Sequence, residues 1–335
     1  MYSDVRQFQG EVGKTGGESD GKCDGNRSGS ELTMVTLHVS RFDPQTDAAP
    51  YIQTFQVPHV PHMRIIDALN YVQETLGVDI GYRWYCGTKK CGTCAVRMNG
   101  KEVLACWEAA EAEMSLEPLR HLPRIRDLAV DRGPAEAKLV SLQTWLQRSR
   151  PYGGFPEPVD AANAASLRST MDCLSCLACY SACPVLDFPD EIAFAGPAPL
   201  VHLARVALDA RDDASRVSTI LKEAHVHHCV SCYQCEAVCP AHIPIVSAAI
   251  EPLKRMAYAS DPQASSHTRT FMEIVSRRGR IEPMLLVLGT RGWRAVLQRP
   301  ARTLRLLLRG KVRPMAALLR RPVAGIEKIR QIFFR

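Results

Sequence analysis

Residues 228–240 read HCVSCYQCEAVCP, four cysteines spaced two, two and three residues apart and closed by a proline. Residues 172–184, DCLSCLACYSACP, repeat both the spacing and the closing proline. Four more of the 13 cysteines form a third group, Cys86, Cys91, Cys94 and Cys106, and Cys23 stands alone. A disulfide scaffold has no reason to sort its cysteines into fours, whereas a metal framework does. The opening MYSDVRQFQGEVGKTGGESDG lacks the apolar core of a secretory signal. No apolar run is long enough to span a bilayer. The expectation is a reduced, cytoplasm-facing metalloprotein.

Each of the two runs has the C-x2-C-x2-C-x3-C-P spacing of bacterial ferredoxins, in which the fourth cysteine serves the other of two clusters. The first three cysteines wrap one corner of a cube while the chain leaving them turns away. Proline lacks an N–H and stops that chain from closing as helix. The reading assigns Cys173, Cys176, Cys179 and Cys239 to one [4Fe–4S] cluster. It assigns Cys229, Cys232, Cys235 and Cys183 to a second, which becomes [3Fe–4S] if oxidation strips an iron.

The third group lies in a strand-rich segment. MVTLHVS alternates Val35, Leu37 and Val39 against Thr36, His38 and Ser40, and YIQTFQV places Tyr51, Phe55 and Val57 on one face. Ile65, Leu69, Val72 and Leu76 make the stripe of a helix that Gly77 ends. CGTKKCGTC follows, and with Cys106 the spacing is C-x4-C-x2-C-x11-C, whose first three positions are those of plant-type [2Fe–2S] proteins. Asn99-Gly100 predicts a two-residue hairpin that returns Cys106 beside Thr93 and Cys94. Gly87 and Gly92 let backbone N–H groups approach the sulfurs. A structural zinc site also takes four thiolates, but its loops are C-x2-4-C pairs and not three cysteines on one loop.

Between the two later runs, APLVHLARVALDAR sets Leu200, Leu203, Ala204, Ala207 and Leu208 on one helical face behind starting prolines. The chain therefore divides into a disordered leader, 1–33, holding Cys23 without a role; a [2Fe–2S] domain, 34–137; a helical dicluster domain, 138–262; and a basic amphipathic helical tail, 263–335.

From Met34 to about Tyr258 the chain resembles the iron–sulfur subunit of succinate dehydrogenase and fumarate reductase. SRFDP, PYIQTFQV, CGTKKCGTCAVRMNGKEVLAC and FAGPAPLVHLARVALDARDD stand in that family's order. The resemblance implies an α+β architecture: a β-grasp [2Fe–2S] ferredoxin domain followed by an α-helical dicluster domain. It also implies a relay of electrons between a flavoprotein subunit that handles a dicarboxylate and a quinone-reactive or membrane-anchor partner. Two departures stand out. The classical family has a non-ligand at the second cysteine of its second run, where this chain has Cys232. Its serine, tryptophan and histidine near quinone are also missing, since Cys183-Pro184 leads into VLDFPDE and Cys229 into Val230. HCVSCYQCEAVCP is closer to the dicluster subunit of heterodisulfide reductase and to non-classical succinate dehydrogenases, which work with a cysteine-rich subunit. FMEIVSRRGRIEPMLLVLGTRGW, at 271–293, resembles the end of that same heterodisulfide reductase chain.

Residues 276–335 hold sixteen Lys or Arg against Glu282 and Glu327, so the tail is +14 in a chain of net +7. Arg302, Arg305 and Arg309 share one helical face, opposite Ala301, Leu304 and Leu308. Such a face suits an anionic membrane surface or an acidic partner, and localisation is expected to be peripheral on the cytoplasmic side. No basic–aromatic platform accompanies the charge, which argues against nucleic acid. His225, His227 and His228 read as polar helix-end residues. With no paired carboxylates, nucleophile–base pair or G-x-G-x-x-G fingerprint, the chain is expected to be a non-catalytic subunit without flavin or nicotinamide. Two alternatives stay open: service to a thiol- or hydroxyacid-linked flavoprotein, and a zinc-stabilised binding protein.

Overall fold

The computed structural model describes residues 33–149, 153–190, 192–260, 266–292, 305, 308–309 and 321–333. Cys23, Arg302, Ala301 and Leu304 lie outside these.

Strand β1 (Met34–Arg41) buries Val35, Leu37 and Val39 to 1% or less, as the alternation predicts. It pairs antiparallel with β2 (Tyr51–Pro58), in register Val35↔Val57 and Leu37↔Phe55. Phe55 and Val57 are buried, whereas Tyr51 is exposed. β2 is an edge strand, and its first residues run past the core, so its inward face is only half used. Helix α1 (Ile65–Glu74) packs Ile65, Ala68, Leu69 and Val72 inward. It ends three residues before Gly77, leaving Leu76 exposed and outside the stripe.

β3 (Ala95–Met98) and β4 (Lys101–Leu104) form the hairpin expected at Asn99-Gly100. Both turn residues have positive φ, 50° and 81°, as a type I′ turn requires. β5 (Glu113–Glu117) then enters between β1 and β3, parallel to the former and antiparallel to the latter. The sheet order β2-β1-β5-β3-β4, with α1 held against it, is the β-grasp arrangement. β6 (Arg124–Arg126) and β7 (Ala129–Val130) add a small ribbon. Asp127 in its turn is 2% exposed and accepts from Arg41 Nε (2.9 Å), Phe42 N (3.0 Å) and Gly81 N (2.7 Å), so the ribbon is tied down by one fully used carboxylate.

The remainder is helical. α2 (Gly133–Ser141) and α3 (Ala161–Met171) precede the first cysteine run; Asp160 caps α3 by accepting from Asn163 N at 3.0 Å. The runs carry one-turn helices α4 (Ala178–Ser181) and α6 (Gln234–Ala237), and between them lies α5 (Pro197–Ala207). Leu200, Leu203 and Ala204 of α5 are fully buried; Ala207 and Leu208, at its frayed end, are half-buried. Pro184 does not simply stop a helix: it occupies the first position of a 3-10 turn, Pro184–Asp187, where the missing N–H costs nothing. A wide turn, Val246–Ile250, leads into α7 (Glu251–Ser260). In the tail, α8 (Ser266–Arg278) crosses α9 (Pro283–Arg291) so closely that a Cβ on Gly289 would clash with the Thr270 side chain. A last described helix, Ile326–Phe333, is tied to α8 by Arg330 Nε donating to Ser276 O at 2.9 Å.

From Met34 onward the described residues form one compact unit, with an apolar core running from Val35 through Leu203 to Ala257. The seam between sheet and helices also has a polar clasp. Ser181 Oγ of α4 donates to Glu102 Oε1 of β4 at 2.8 Å and accepts from Arg120 N at 2.9 Å, with Ser181 at 0% and Glu102 at 5% exposure. A buried carboxylate stripped of such a donor loses about 1–3 kcal/mol. Ser181→Ala is therefore expected to lower stability by that amount in anaerobic urea unfolding. An unchanged midpoint would show that apolar packing alone holds the seam.

Candidate iron–sulfur sites

The first set sits on the loop between α1 and β3. Cys86 Sγ accepts from the backbone of Thr88 (3.4 Å), Lys90 (3.3 Å) and Cys91 (3.3 Å). Positive φ at Gly87 and Lys89 coils the loop so that these amides converge. The Thr88 amide first, then those of Cys91 and Lys90, draw the Cys86 thiol down to about 6. Cys91 Sγ lies 2.6 Å from Thr93 Oγ1. Ala105 N donates to Cys94 O at 3.0 Å across the β3–β4 hairpin, which brings Cys106 beside Cys94 as expected. Both are nearly buried, and burial pushes the Cys94 thiol up to about 12.

The other eight cysteines line two cavities. Cys173, Cys176, Cys179 and Cys239 surround one, closed by Leu177, Val201, Ile243 and Ile245. Cys183, Cys229, Cys232 and Cys235 surround the other, with Phe194, Val246 and Ile250. The last cysteine of each run thus lies with the first three of the other.

Both runs fold alike. Ser175 and Leu177, flanking Cys176, have φ of 52° and 65°; Ser231 and Tyr233, flanking Cys232, have 51° and 61°. Left-handed non-glycine residues are uncommon, and four at equivalent places mark a loop shape imposed by what it encloses. That curl turns an amide inward in the first loop, where Ser175 N donates to Cys173 Sγ at 3.4 Å; beyond the second run, Ile243 N donates to Cys239 Sγ, also at 3.4 Å.

Burial lifts the thiols of Cys176 to about 11 and Cys235 to about 12, Cys179 well above its ordinary value, and Cys183 and Cys239 upward as well. Buried sulfur resists carrying charge alone, and a bound cation reverses that cost by taking thiolate outright. Among the described residues no three His, Cys, Asp or Glu side chains close on the single point a lone metal ion needs. Cysteines arrayed around small, mostly apolar cavities, with amides aimed at sulfur, fit polynuclear iron–sulfur clusters as the occupants.

The three sets stand in a row. Gly92, between Cys91 and Cys94, has φ of +69°, and a Cβ there would lie 2.7 Å from Cys176 Cβ and 2.8 Å from Leu174 O. Its glycine is needed less for reaching sulfur than for letting the first loop touch the second. Cys179 in turn feels Cys235 across the two cavities. A larger cavity of about 400 Å³ shares Phe194 with the last set, and in it Lys138 Nζ donates to Tyr180 Oη at 2.9 Å. His225 faces that cavity and stacks on His228, which lies with His227 in the turn Val226–His228.

Sequence reasoning missed the residues that brace the loops. Arg205 of α5 donates to Thr170 O (2.9 and 2.7 Å), fastening the end of α3 before Cys173, and His202 points at Ser175. Arg132 donates to Ser175 O, and Lys254 of α7 to Cys229 O at 2.8 Å. Their only signal is the serine repeated in CLSC and CVSC. The donors come from distant helices and have no local pattern.

Gly77 offers a control for the contact at Gly92, since it has φ of +67° but nothing within 4 Å of an added Cβ. Each alanine substitution carries the backbone strain, about 1–3 kcal/mol, but only Gly92→Ala adds a clash with backbone. Gly92→Ala is expected to destabilise the protein more than Gly77→Ala in parallel thermal unfolding. Equal losses would mean that the loops do not touch.

Comparison with known proteins agrees with this geometry. Residues 36–137 match the model of a 2Fe-2S iron-sulfur cluster binding domain, and residues 169–243 that of a 4Fe-4S dicluster domain. One subunit of the fumarate reductase (CoM/CoB) of Methanothermobacter marburgensis is 32% identical over 74% of this chain, which spans about half (49%) of that relative. The fumarate reductase iron-sulfur subunits of Haemophilus influenzae and Mycobacterium tuberculosis are 30% and 32% identical, with 64% and 62% of this chain aligned to 90% and 87% of theirs. A chain of the Mycobacterium smegmatis Sdh1 complex shares the fold, with a TM-score of 0.62 at 24% identity, over 69% of this chain and 99% of its own. The mixed sheet, the cysteine-lined cavities and these likenesses converge: the chain belongs to the family of fumarate reductase iron–sulfur subunits.

Proposed function

We propose that this chain is the electron-transfer subunit of a succinate dehydrogenase/fumarate reductase-type complex. It relays electrons between a dicarboxylate-handling flavoprotein and a cysteine-rich or quinone-reactive partner. The observation that carries this reading is the row of three four-cysteine sets, with loop contact at Gly92 and adjacency of Cys179 and Cys235. Bound there, one [2Fe–2S] and two [4Fe–4S] clusters supply one-electron carriers. The ligands are Cys86, Cys91, Cys94 and Cys106; Cys173, Cys176, Cys179 and Cys239; and Cys183, Cys229, Cys232 and Cys235. The chain's own part is to fix the spacing, keep water from the middle set and aim amides at sulfur.

Each end of the row opens to a surface. Around Cys86, Trp84, Tyr85 and Trp107 are exposed, and Lys89 Nζ lies 5.2 Å from the Trp107 ring. We assign this end to the flavoprotein. At the other end Cys232 is exposed, flanked by exposed Val230 and Tyr233. The fourth thiolate at Cys232 supports the non-classical form with a cysteine-rich partner. We place the domain boundaries near 137 and 262. The +14 tail supports a peripheral position on the cytoplasmic face; no described helix is long and apolar enough to cross a membrane.

Anaerobically purified protein is expected to hold about ten irons per chain. Cys232→Ser should lower that toward nine and give a [3Fe–4S] EPR signal on oxidation. A [3Fe–4S] centre already present in the unaltered anaerobic protein contradicts the eight-thiolate assignment.

Crossed ligation has its own test. Cys183→Ser should damage the cluster of Cys229, Cys232 and Cys235, and Cys239→Ser the cluster of Cys173, Cys176 and Cys179. Loss of the neighbouring cluster in sequence would mean that each run closes its own cube.

A further inference from the structure

The two dicluster loops share a backbone shape, but different side chains address their matching serines. Lys254 Nζ approaches Ser231 Oγ at 3.4 Å. His202 Nε2 lies 3.1 Å from Ser175 Oγ and 4.0 Å from Cys173 Sγ. Arg205 Nη1 lies 3.4 Å from the other ring nitrogen, His202 Nδ1. A guanidinium only donates, so Nδ1 must be the accepting nitrogen and the ring proton sits on Nε2. Arg205 cannot swing away, because it is held on Thr170 O by two bonds and reaches Cys173 O at 3.5 Å. His202 therefore presents a fixed N–H to the Ser175 hydroxyl and the Cys173 sulfur together.

We propose that His202 is a positioning residue whose Nε2–H, oriented by Arg205, donates to Cys173 and raises the reduction potential of the cluster held by Cys173, Cys176, Cys179 and Cys239. The inference rests on the cluster assignment made above. Hydrogen bonds to ligand sulfur stabilise the more negative, reduced state and so move the potential upward. At the matching place beside the loop of Cys229 it is Lys254 that meets the serine and the Cys229 carbonyl, so the two clusters, alike in their ligands and backbone, are set apart by their second neighbours. The middle set of the row is thereby tuned by a residue of α5 that touches none of the other sets.

The test is an EPR-monitored redox titration of the full chain, anaerobically purified, as wild type, His202→Leu and His202→Gln, with iron per chain measured in each. Cys232→Ser assigns the signals, since it alters only the other cubane. His202→Leu is expected to shift one [4Fe–4S] midpoint to a more negative potential and leave the other two centres in place. His202→Gln, which keeps an N–H donor, is expected to recover part of that shift. A purely structural role would not separate leucine from glutamine. Should His202→Leu lose iron, His202→Met offers an apolar side chain of greater adaptability for the same measurement. A leucine or methionine variant with full iron and the wild-type midpoint overturns the inference alone, as does a glutamine variant shifted as far as leucine. A wild-type chain without cubane signals overturns the cluster assignment, and this inference with it.

Discussion

The redox layout depends on a contact with no room for a methyl group. Gly92 brings the loop of Cys91 and Cys94 against the backbone of Leu174 and Cys176, and its φ of +69° suits glycine on conformational grounds as well. Everything that fixes α4 against the sheet serves this contact. The Ser181–Glu102 clasp sits one turn from Cys176 and Cys179, and the continuous apolar core fills the rest of the seam. Sheet and helices are joined so that one cysteine loop can lie on another.

A second constraint is electrostatic. Most of the helical region's cysteines are buried deeply enough that their free thiols resist ionisation, while Cys86, ringed by three amides, ionises readily. Metal coordination resolves the conflict by converting thiol to thiolate and supplying the countercharge. Arg132, Arg205 and Lys254, fastened to carbonyls of the cysteine loops, add positive charge close by. The protein thus prepares sites that are stable when filled and strained when thiolate stands alone.

Much of this was legible in the chain because it is local. Cysteine spacing, the Asn99-Gly100 turn and the alternation of β1 each involve residues within a few positions of one another. The grouping of Cys183 with Cys229 and of Cys239 with Cys173 was legible only through the known crossing of such runs. Element ends were less readable: Leu76 and Tyr51 continue a period past the point where the core stops. The Arg41–Asp127 pair and the approach of Gly92 to Cys176 had no signature, since they join residues more than eighty positions apart. His202 is 27 residues from Ser175, and Lys254 23 from Ser231. Long-range partners of this kind follow from topology and not from pattern.

The electron path proposed for this chain is a row of three clusters with the crossed set of Cys173, Cys176, Cys179 and Cys239 in the middle. Anomalous diffraction at the iron edge, from crystals of the anaerobic protein, tests it most directly. Three iron centres in line are expected, the middle one bounded by those four sulfurs and nearest to Gly92 on one side and Cys235 on the other. A middle centre bounded by all four cysteines of a single run, or only one centre in the helical region, would contradict it.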